Sequence, residues 1–266
     1  MVSHEIVVKD MGEGDRYYVG TCGHLYESEE IDHCSKIRNE WFEKMSDRGL
    51  RIKVAFLDGE RVGFIYLMPI EISPWGPLGE DLMFMPCLVS EEEGKGVGKA
   101  LIDSAEEIAR EQEKKGILTR AYFPDFFFMP GEFFERCGFE VLKSRELEDE
   151  GLTEALMCRV FDPPIEEVDF LKSDHEFEAV EGKVVIDLFW NTFCQTSVIE
   201  ANRVRKVIEE FGDKVVLREH RIEDRDDLLE YGIYRGIYVD GEQISWGHEA
   251  PEEGIREAVE RAVNSI

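Results

Sequence analysis

The apolar positions of residues 1–161 predict an alternation of strands and helices. Residues 51–57 and 61–68 are β-rich runs separated by Asp58-Gly59, a pair typical of tight hairpins. Residues 82–89 predict another strand, and the apolar spacing of 97–109 predicts a helix that ends by Gly116. A strand over 117–122 follows, so this part of the chain is strand, glycine-rich loop, helix, strand. The pattern also predicts helices over 29–45 and 132–136 and strands over 139–143 and 153–160.

A break in this pattern follows Phe161, where Pro163-Pro164 precede a stretch without sustained periodicity up to about residue 182. Beyond it the chain predicts the order β-α-β-α-β-β-α, with Asp240-Gly241 as a second hairpin signal. We therefore expect a first α/β domain over 1–161, a linker over 162–182 and a smaller α/β domain over 183–266.

The charge of the chain limits its partners. There are 59 acidic and 31 basic residues among 266, for a formal net charge of −28, while 43% of the residues are hydrophobic and can form cores. Nucleic acids and anionic lipids require basic surfaces, so neither is an expected partner. No apolar run approaches the roughly 20 residues that cross a bilayer, and the first residues do not resemble a signal sequence. We expect a cytoplasmic protein, and a homodimer is compatible with the sequence.

Six cysteines lie at irregular intervals without a C-x-x-C pair. This spacing fits neither a disulfide framework nor a zinc ribbon, so reduced thiols are expected. Cys22, His24, His33 and Cys34 could be drawn as a metal site, but the adjacent His33 and Cys34 cannot both face one centre from a helix. We predict no metal site.

The glycine-rich loop between the predicted strand and helix is suited to an anion. Its glycines allow close approach of the backbone, the helix start offers N–H groups, and two lysines add positive charge. The residues concerned are Gly94, Lys95, Gly96, Val97, Gly98 and Lys99. The sequence therefore predicts a phosphate cradle.

The loop resembles the pyrophosphate-binding motif [QR]-x-x-G-x-[GA] of the GNAT superfamily of acetyltransferases, here Glu93-x-x-Gly96-x-Gly98. The run Phe133-Phe-Glu-Arg-Cys-Gly-Phe139 resembles the "F-Y-E-K-L-G-F" signature of the same superfamily. The resemblance implies an α+β fold with a mixed, mostly antiparallel sheet. It implies acetyl-CoA as co-substrate, with pantetheine along Cys87, Leu88 and Val89, and acetyl transfer to an amine of a small molecule or peptide.

Two departures from the family pattern concern the catalytic groups. Glu93 replaces the usual Gln or Arg, and Phe134 stands beside the cofactor where many members carry a tyrosine that protonates the departing CoA thiolate. A phenyl ring cannot donate a proton, so Tyr122 is the candidate acid. Glu80 and Asp81 are the candidate bases, with the alternative that both are surface residues at a strand end.

By resemblance the acceptor binds among the early helices and the loop after the third strand. Cys22, His24 and Trp75 lie in unusual loops of these regions and are the candidate substrate contacts. The alternative for Trp75, between glycine and prolines, is an anchor for its loop.

The second domain has one conspicuous thiol. Cys194 stands between a buried strand and a helix in Phe189-Trp-Asn-Thr-Phe-Cys-Gln-Thr-Ser197, and a helix N-terminus favours a thiolate. The run resembles the thioredoxin motif F-W-x-x-W-C-x-x-C, and the whole chain resembles GNAT proteins that carry a thioredoxin-like, YoaP-like domain. With one thiol, intramolecular disulfide exchange is impossible, which leaves a mixed disulfide or a soft ligand.

Arg235 stands near the position where active thioredoxins have a cis-proline. It is a candidate partner of the Cys194 thiolate or of an anionic substrate, and a solvated charge at a strand end is the alternative. For the whole chain we hypothesise an acetyl-CoA-dependent N-acetyltransferase. The alternative is a CoA-binding regulatory or thiol- or metalloid-handling protein with little acetyl transfer.

Overall fold

A computed structural model describes residues 5–22, 28–124, 128–147, 151–173, 175–244 and 248–266. The strands in these ranges are β1 (Ile6–Asp10), β2 (Arg51–Leu57), β3 (Glu60–Pro69), β4 (Leu82–Ser90), β5 (Gly116–Phe123), β6 (Glu140–Leu147), β7 (Leu152–Val160), β8 (Val184–Trp190), β9 (Val215–Arg221), β10 (Gly236–Val239) and β11 (Glu242–Ile244). The helices are α1 (Arg16–Gly20), α2 (Glu29–Ser46), α3 (Val97–Glu111), α4 (Gly131–Arg136), α5 (Gln195–Ile208), α6 (Arg225–Tyr231) and α7 (Glu252–Val263). Within the described ranges, no helix combines the length and apolar character that a membrane span requires.

The chain divides into two compact units. The first contains residues up to Val19 and Glu43–Leu171, and the second contains Gly20–Phe42 and Lys172–Ile266. The segment 20–42, which the sequence places with the first predicted domain, thus groups with the second unit. Most of α2 therefore belongs to a different unit from the helix α1 that precedes it.

The sheet of the first unit has the order β1-β2-β3-β4-β5-β7-β6, and only β4 and β5 are parallel. This confirms the expected mixed, mostly antiparallel sheet. The hairpin between β2 and β3 turns at Asp58 and Gly59, which both have positive φ (50° and 91°), as a tight two-residue turn requires. Helix α3 packs its apolar side, including Leu101, Ala105 and Ile108, against the same core as Ile65 and Met83 of the sheet.

The loop between β3 and β4 packs closely on the sheet of the first unit. Gly76 lies so near the Phe84 ring that a Cβ atom would come within 2.4 Å of it, and Leu78 exchanges backbone hydrogen bonds with Asp169. Val168 and Phe170 are buried. Residues 168–170, which the sequence predicts as linker, therefore form part of the first unit.

The second unit contains a sheet of order β11-β10-β8-β9, in which β8 and β9 are parallel and β10 runs antiparallel to β8. The predicted order β-α-β-α-β-β-α is confirmed. Val184, Ile186 and Leu188 of β8 form one core with the apolar residues of α5 and α7. Helix α2 adds Ile31 and Cys34, which cluster with Val198 and Ile199 at the start of α5.

Candidate active site

The two parallel strands of the first sheet separate partway along their length. β4 and β5 are paired from Leu82 and Gly116 to Met85 and Thr119, although β4 continues to Ser90 and β5 to Phe123. Each strand keeps its other neighbour, because β4 stays paired with β3 to Ser90 and β5 with β7 to Phe123. We call the gap between residues 86–90 and 120–123 the strand cleft.

Two side chains mark the point where the strand cleft begins. The buried Thr119 hydroxyl donates a hydrogen bond of 2.7 Å to the Met85 carbonyl, at the last paired position. Pro86 comes next and has no backbone N–H to give to a neighbouring strand. The register between β3 and β4 also shifts here. The sequence thus ends the parallel pairing with a hydroxyl and a proline.

The predicted pantetheine residues lie on the diverging part of β4. Cys87 is buried, while Leu88 and Val89 are partly exposed. Beyond Met85 and Thr119, β5 no longer pairs with the edge of β4 that carries Leu88 and Val89. An extended chain with amide groups could pair with this edge as an added strand would.

The loop after β4 leads directly into α3. Gly94 and Gly96 have positive φ (70° and 88°), and Gly96 is the N-cap of α3. No side chain caps the helix, so N–H groups of its first turn remain available to an anion. The predicted phosphate cradle therefore has the expected backbone at its expected position.

Gly98 has a different role from the two glycines before it. It lies inside the first turn of α3, and a Cβ atom there would come within 2.8 Å of the Phe133 ring of α4. The missing side chain lets α3 and α4 approach closely. Gly94 and Gly96 therefore allow the turn conformation of the loop, and Gly98 allows the close packing of the two helices.

The two lysines of the loop differ in their electrostatic surroundings. Lys99 forms an ion pair with Asp103 one helical turn later, and Asp103 also lies 3.5 Å from Arg159. Among the described residues, no hydrogen bond or ion pair engages the exposed Lys95. The positive charge that the sequence attributes to both lysines is thus partly neutralised at Lys99.

The candidate bases Glu80 and Asp81 lie at the wrong end of β4. The strand cleft opens after Met85, whereas Glu80 and Asp81 precede Leu82, at the end where β4 and β5 are still paired. Both are exposed, and the Asp81 carboxylate contacts the Lys115 ammonium at 3.0 Å. About 20 Å of strand separates Asp81 from Cys87, since each residue advances the chain by about 3.3 Å. The expected base at Glu80 or Asp81 is corrected to the alternative of surface residues at a strand end.

Tyr122 lies on the diverging part of β5, as the candidate acid should. Its backbone N–H donates to the Met129 carbonyl at 3.1 Å, and its hydroxyl lies 3.5 Å from a carboxylate oxygen of Glu154. The side chain is partly buried. Its role in catalysis stays a prediction.

Glu154 is a buried carboxylate that the sequence analysis did not single out. Its side chain is 3% exposed and is held by Arg145 at 2.6 Å and Arg120 at 3.2 Å. The Arg120 guanidinium in turn lies 5.8 Å from the centre of the Trp75 ring. The signal in the sequence was a single acidic residue inside the otherwise apolar run 152–158.

Phe134 occupies the core of the first unit. It is 1% exposed, and its ring contacts those of Phe133 and Phe139 at 5.1 and 5.3 Å between centroids. These contacts explain an apolar side chain here, because a buried hydroxyl would need a hydrogen-bond partner.

The described candidate substrate residues of the first predicted domain belong to different units. Trp75 is 6% exposed in the loop that packs on the sheet, which agrees with the anchor interpretation. Cys22 is partly exposed with a positive φ of 52° and belongs to the second unit. His24 lies outside the described residues.

Cys194 is the N-cap of α5 in the second unit and is partly exposed. Its N–H donates to the Asn191 side-chain oxygen at 2.9 Å, and the Asn191 N–H donates to the Ser197 hydroxyl at 3.0 Å. Ser197 is buried. The residue in the place of a second cysteine therefore supports the turn that presents Cys194.

Arg235 binds a carboxylate of its own unit. Its Nε and Nη2 donate to the two oxygens of the buried Glu200, each at 2.7 Å, and Nη2 also donates to the His248 carbonyl. Burial lowers the pKa of Arg235, but the Glu200 hydrogen bonds and charge, with a smaller contribution from Cys194, raise it above its ordinary value. Arg235 is thus a partly buried partner of Glu200 and not a solvated strand-end charge, and its pairing with the Cys194 thiolate stays a prediction.

The other buried thiols differ from Cys194 in their setting. Burial is the main cause that raises the pKa of Cys34 to about 12, and it also raises the pKa of Cys158 to about 12. All six cysteines are free thiols. Cys34 and Cys158 therefore behave as small apolar core residues.

Comparison with known protein families gives a match whose residues lie mostly in the first unit. Residues 18–139 match the model of the acetyltransferase (GNAT) family, and the match includes the strand cleft, the glycine loop and α4. No curated protein sequence is similar enough to the chain to count as a relative.

Several solved structures resemble part of the chain. Aminoglycoside 6'-acetyltransferase type Ii has 17% identity, with 59% of this chain and 99% of the other covered and a TM-score of 0.44. Ribosomal-protein-alanine N-acetyltransferase from Brucella melitensis has 17% identity, 58% and 99% coverage and a TM-score of 0.42. PaiA N-acetyltransferase from Thermoplasma acidophilum, in complex with coenzyme A, has 17% identity, 59% and 99% coverage and a TM-score of 0.41. At these values the similarities assign neither substrate nor mechanism.

Proposed function

We propose that the chain acetylates an amine of a small molecule or peptide. The premise is that residues 18–139 form an acetyltransferase domain of the GNAT family. The family match confirms the predicted enzyme class, an N-acetyltransferase, and acetyl-CoA as its co-substrate. The nature of the acceptor and the residues that act on it are the proposed part.

The observation that carries the proposal is the strand cleft beside the uncapped start of α3. The edge of β4 that β5 leaves after Met85 suits the amides of pantetheine at the predicted Leu88 and Val89. The glycine loop that follows suits the pyrophosphate, through backbone N–H groups and the helix dipole. A bound acetyl-CoA would then place its thioester where β4 and β5 separate.

In the proposed reaction, a neutral amine attacks the thioester carbonyl and forms a C–N bond. The C–S bond then breaks, the amine nitrogen loses one proton, and the CoA thiolate gains one. With Glu80 and Asp81 far from the strand cleft, water is the proposed acceptor of the amine proton. Tyr122 is the proposed donor to the thiolate, because it carries the needed proton on the diverging part of β5.

Replacing Tyr122 by phenylalanine tests the proposed acid. We expect kcat for acetyl transfer to fall by about 10²-fold, a typical contribution of a general acid, with little change in KM for acetyl-CoA. A Glu80→Gln variant is the matched control and should keep the kcat of the original chain. An unchanged kcat in Tyr122→Phe would remove Tyr122 from the mechanism.

The whole proposal is tested by steady-state release of CoA thiol from acetyl-CoA across a panel of amines. Turnover with at least one amine is expected, together with CoA affinity that depends on Gly96. The second candidate function is CoA binding with little transfer, and the buried Phe134, which offers no proton, favours it. Measurable CoA affinity without turnover on any amine would support that second function.

We propose that residues 183–266 form a thioredoxin-like, YoaP-like domain, with 1–161 as the acetyltransferase domain and 162–182 as the linker. The compact units differ from these bounds, because 20–42 group with the second unit and residues up to Leu171 with the first. The sheet order β11-β10-β8-β9 and the position of Cys194 before α5 support this assignment. Cys194 then attacks a disulfide of a partner, which forms a mixed disulfide and releases the partner's other sulfur as a thiol, or it binds a soft ligand.

The reactivity of Cys194 can be measured by alkylation at neutral pH with mass-spectrometric readout. We expect Cys194 to react faster than a free model thiol, because it lies at a helix N-terminus. Cys158, whose burial raises its pKa to about 12, is the internal control and should stay unmodified. A Cys194 rate equal to that of the model thiol contradicts the proposed reactivity.

A cytoplasmic location and a homodimer also belong to the proposal. Six free thiols fit a reducing compartment. Size-exclusion chromatography with light scattering tests the dimer directly.

A further inference from the structure

The second unit contains a cluster of metal-ligating side chains that does not include Cys194. His175, Asp187 and His220 each offer one ligand atom, and these atoms all lie within 4.8 Å of one another. Asp187 is on β8 and His220 on the neighbouring β9, while His175 comes from the segment before β8. Two neighbouring strands and the segment before them thus each contribute one side chain to the cluster.

The carboxylate at the centre of this cluster is fully buried. Asp187 is 0% exposed, and its Oδ2 has no hydrogen-bond partner among the described residues. Nε2 of His175 is also buried without a hydrogen bond. An isolated buried carboxylate is costly unless a cation or a set of donors compensates its charge.

The distances favour a bridging ion over direct hydrogen bonds. Nε2 of His175 lies 3.4 Å from Asp187 Oδ2, and Nε2 of His220 lies 3.4 Å from Asp187 Oδ1. Charge-assisted N–H···O bonds are about 2.7–2.9 Å long, so these contacts are long for an imidazolium–carboxylate pair. Two ligands at about 2.0–2.1 Å from a tetrahedral metal are separated by about 3.4 Å, and each histidine meets this separation with a different oxygen of Asp187.

The surroundings hold the ligands in place. The His220 ring stacks on Phe189 with 4.5 Å between centroids and an interplanar angle of 14°, and His175 meets the same ring edge-on at 4.9 Å. The two imidazoles keep partial access to solvent, with 15% and 18% exposed side chains. The cluster therefore lies just beneath the solvent-exposed surface of the second unit.

Two glycines allow the segment that supplies His175 to pack closely against its neighbours. A Cβ atom at Gly232 would lie 1.9 Å from the Lys172 carbonyl oxygen, and one at Gly241 would lie 2.8 Å from the Phe177 ring. The Glu178 carbonyl accepts a hydrogen bond of 2.8 Å from Arg218 on β9. His175 is thus presented to the sheet from a segment that is fixed on both sides.

We propose that His175, Asp187 and His220 bind one divalent transition-metal ion of the Zn²⁺ class, with water as fourth ligand. Two imidazole nitrogens and a carboxylate are a donor set that suits Zn²⁺ and related ions. The ion compensates the buried Asp187 charge and ties the segment around His175 to β8 and β9. This site is independent of acetyl transfer.

The first test uses the full chain after metal removal with a chelator, titrated with Zn²⁺ and with Co²⁺. We expect one site whose affinity falls by at least about 100-fold in Asp187→Asn and in His175→Gln, since both remove a ligand. His33→Gln, an exposed histidine on α2, is the matched control and should bind like the original chain. The bound Co²⁺ should show no thiolate-to-metal charge-transfer band from this site.

The second test measures thermal unfolding, with and without Zn²⁺ at about 100 times its Kd. The midpoint of the transition of the second unit should rise by about 10 °C in the original chain and in His33→Gln. In Asp187→Asn this rise should vanish, while the metal-free variant should be at least as stable as the metal-free original, because a buried charge has been removed. The stability of the metal-free Asp187→Asn variant thus distinguishes loss of metal binding from failure to fold.

Two outcomes would overturn the proposal. Equal Zn²⁺ affinity in the original chain, Asp187→Asn and His175→Gln would assign the binding to thiols elsewhere. Absence of any Zn²⁺-dependent change in the midpoint would leave the cluster as an internal hydrogen-bonded group without a metal.

Discussion

The Glu154 carboxylate shows how one residue can organise a sheet face. It is nearly inaccessible to solvent and meets the guanidinium groups of Arg120 and Arg145 from two neighbouring strands. Arg145 is itself stacked over Phe170 at 4.4 Å. A single carboxylate therefore links β5, β6, β7 and the segment that follows them.

Glu154→Gln should destabilise the first unit substantially. Removing one partner from a buried charge group takes a counter-charge away from both arginines, which typically costs about 3–5 kcal/mol. Because the Arg145 side chain is exposed, we expect the lower end. Chemical denaturation followed by fluorescence measures the change. Glu132→Gln, whose exposed pair with Arg136 spans 3.8 Å, is the control and should change the free energy of unfolding by less than about 0.5 kcal/mol.

Gly96 allows a second residue-scale prediction. Gly96→Ala forces a side chain into a backbone with φ of 88°, at an estimated cost of about 1 kcal/mol, and it disturbs the N–H groups that face the anion. We expect the Kd for CoA to rise about tenfold or more by calorimetry. Gly59→Ala, at a φ of 91° in a hairpin away from the loop, carries the same strain and should leave CoA affinity unchanged. Equal affinities in both variants would contradict the central assignment of the loop.

At the scale of elements, the strand cleft depends on where the β4–β5 pairing stops. The Thr119 hydroxyl closes the last paired position by its bond to the Met85 carbonyl. Thr119→Val keeps the shape but removes the donor, so we expect a loss of about 1 kcal/mol in the free energy of unfolding and faster hydrogen exchange in this part of β5. Thr153→Val removes an exposed hydroxyl bound to Glu146 and is the control. Unchanged exchange in Thr119→Val would show that the proline alone ends the pairing.

Elements set by local chemistry were predictable from the sequence. The hairpins at Asp58-Gly59 and Asp240-Gly241, the helix after the glycine loop and the order of the second unit all follow from turn residues and apolar spacing. The site was less predictable, because side chains distant in sequence decide it. Glu80 and Asp81 are adjacent in sequence to a strand of the cleft. The end at which β4 and β5 separate depends on the pairing of the whole sheet, and the local sequence does not show it.

Contacts between residues distant in sequence also determine roles that the sequence pattern did not indicate. The role of Glu154 depends on its ion pair with Arg120 on β5. The role of Asp187 depends on two histidines that no local sequence pattern links to it. The association of 20–42 with the second unit likewise depends on contacts with residues more than about 150 positions away, which periodicity alone cannot reveal.

For the whole molecule, the net charge of −28 governs the approach of anionic CoA. Long-range repulsion should slow association at low salt, when the Debye length is about 30 Å at 0.01 M, and should weaken at 0.15 M, where it is about 8 Å. We expect the association rate constant, measured by stopped-flow fluorescence, to rise as salt is added. A rate constant that falls instead would show that the positive charge of the loop dominates even at long range.

The division of α2 from its sequence neighbours has a consequence for biosynthesis. The apolar face of Ile31 and Cys34 leaves the ribosome early, but Val198 and Ile199, which cover it, follow only after some 160 further residues. At about 5–20 residues per second, that face waits for roughly 10–30 seconds without its partner. The nascent chain therefore exposes a surface on which a chaperone can act, and a gene fragment that begins after residue 42 cannot yield a complete second unit.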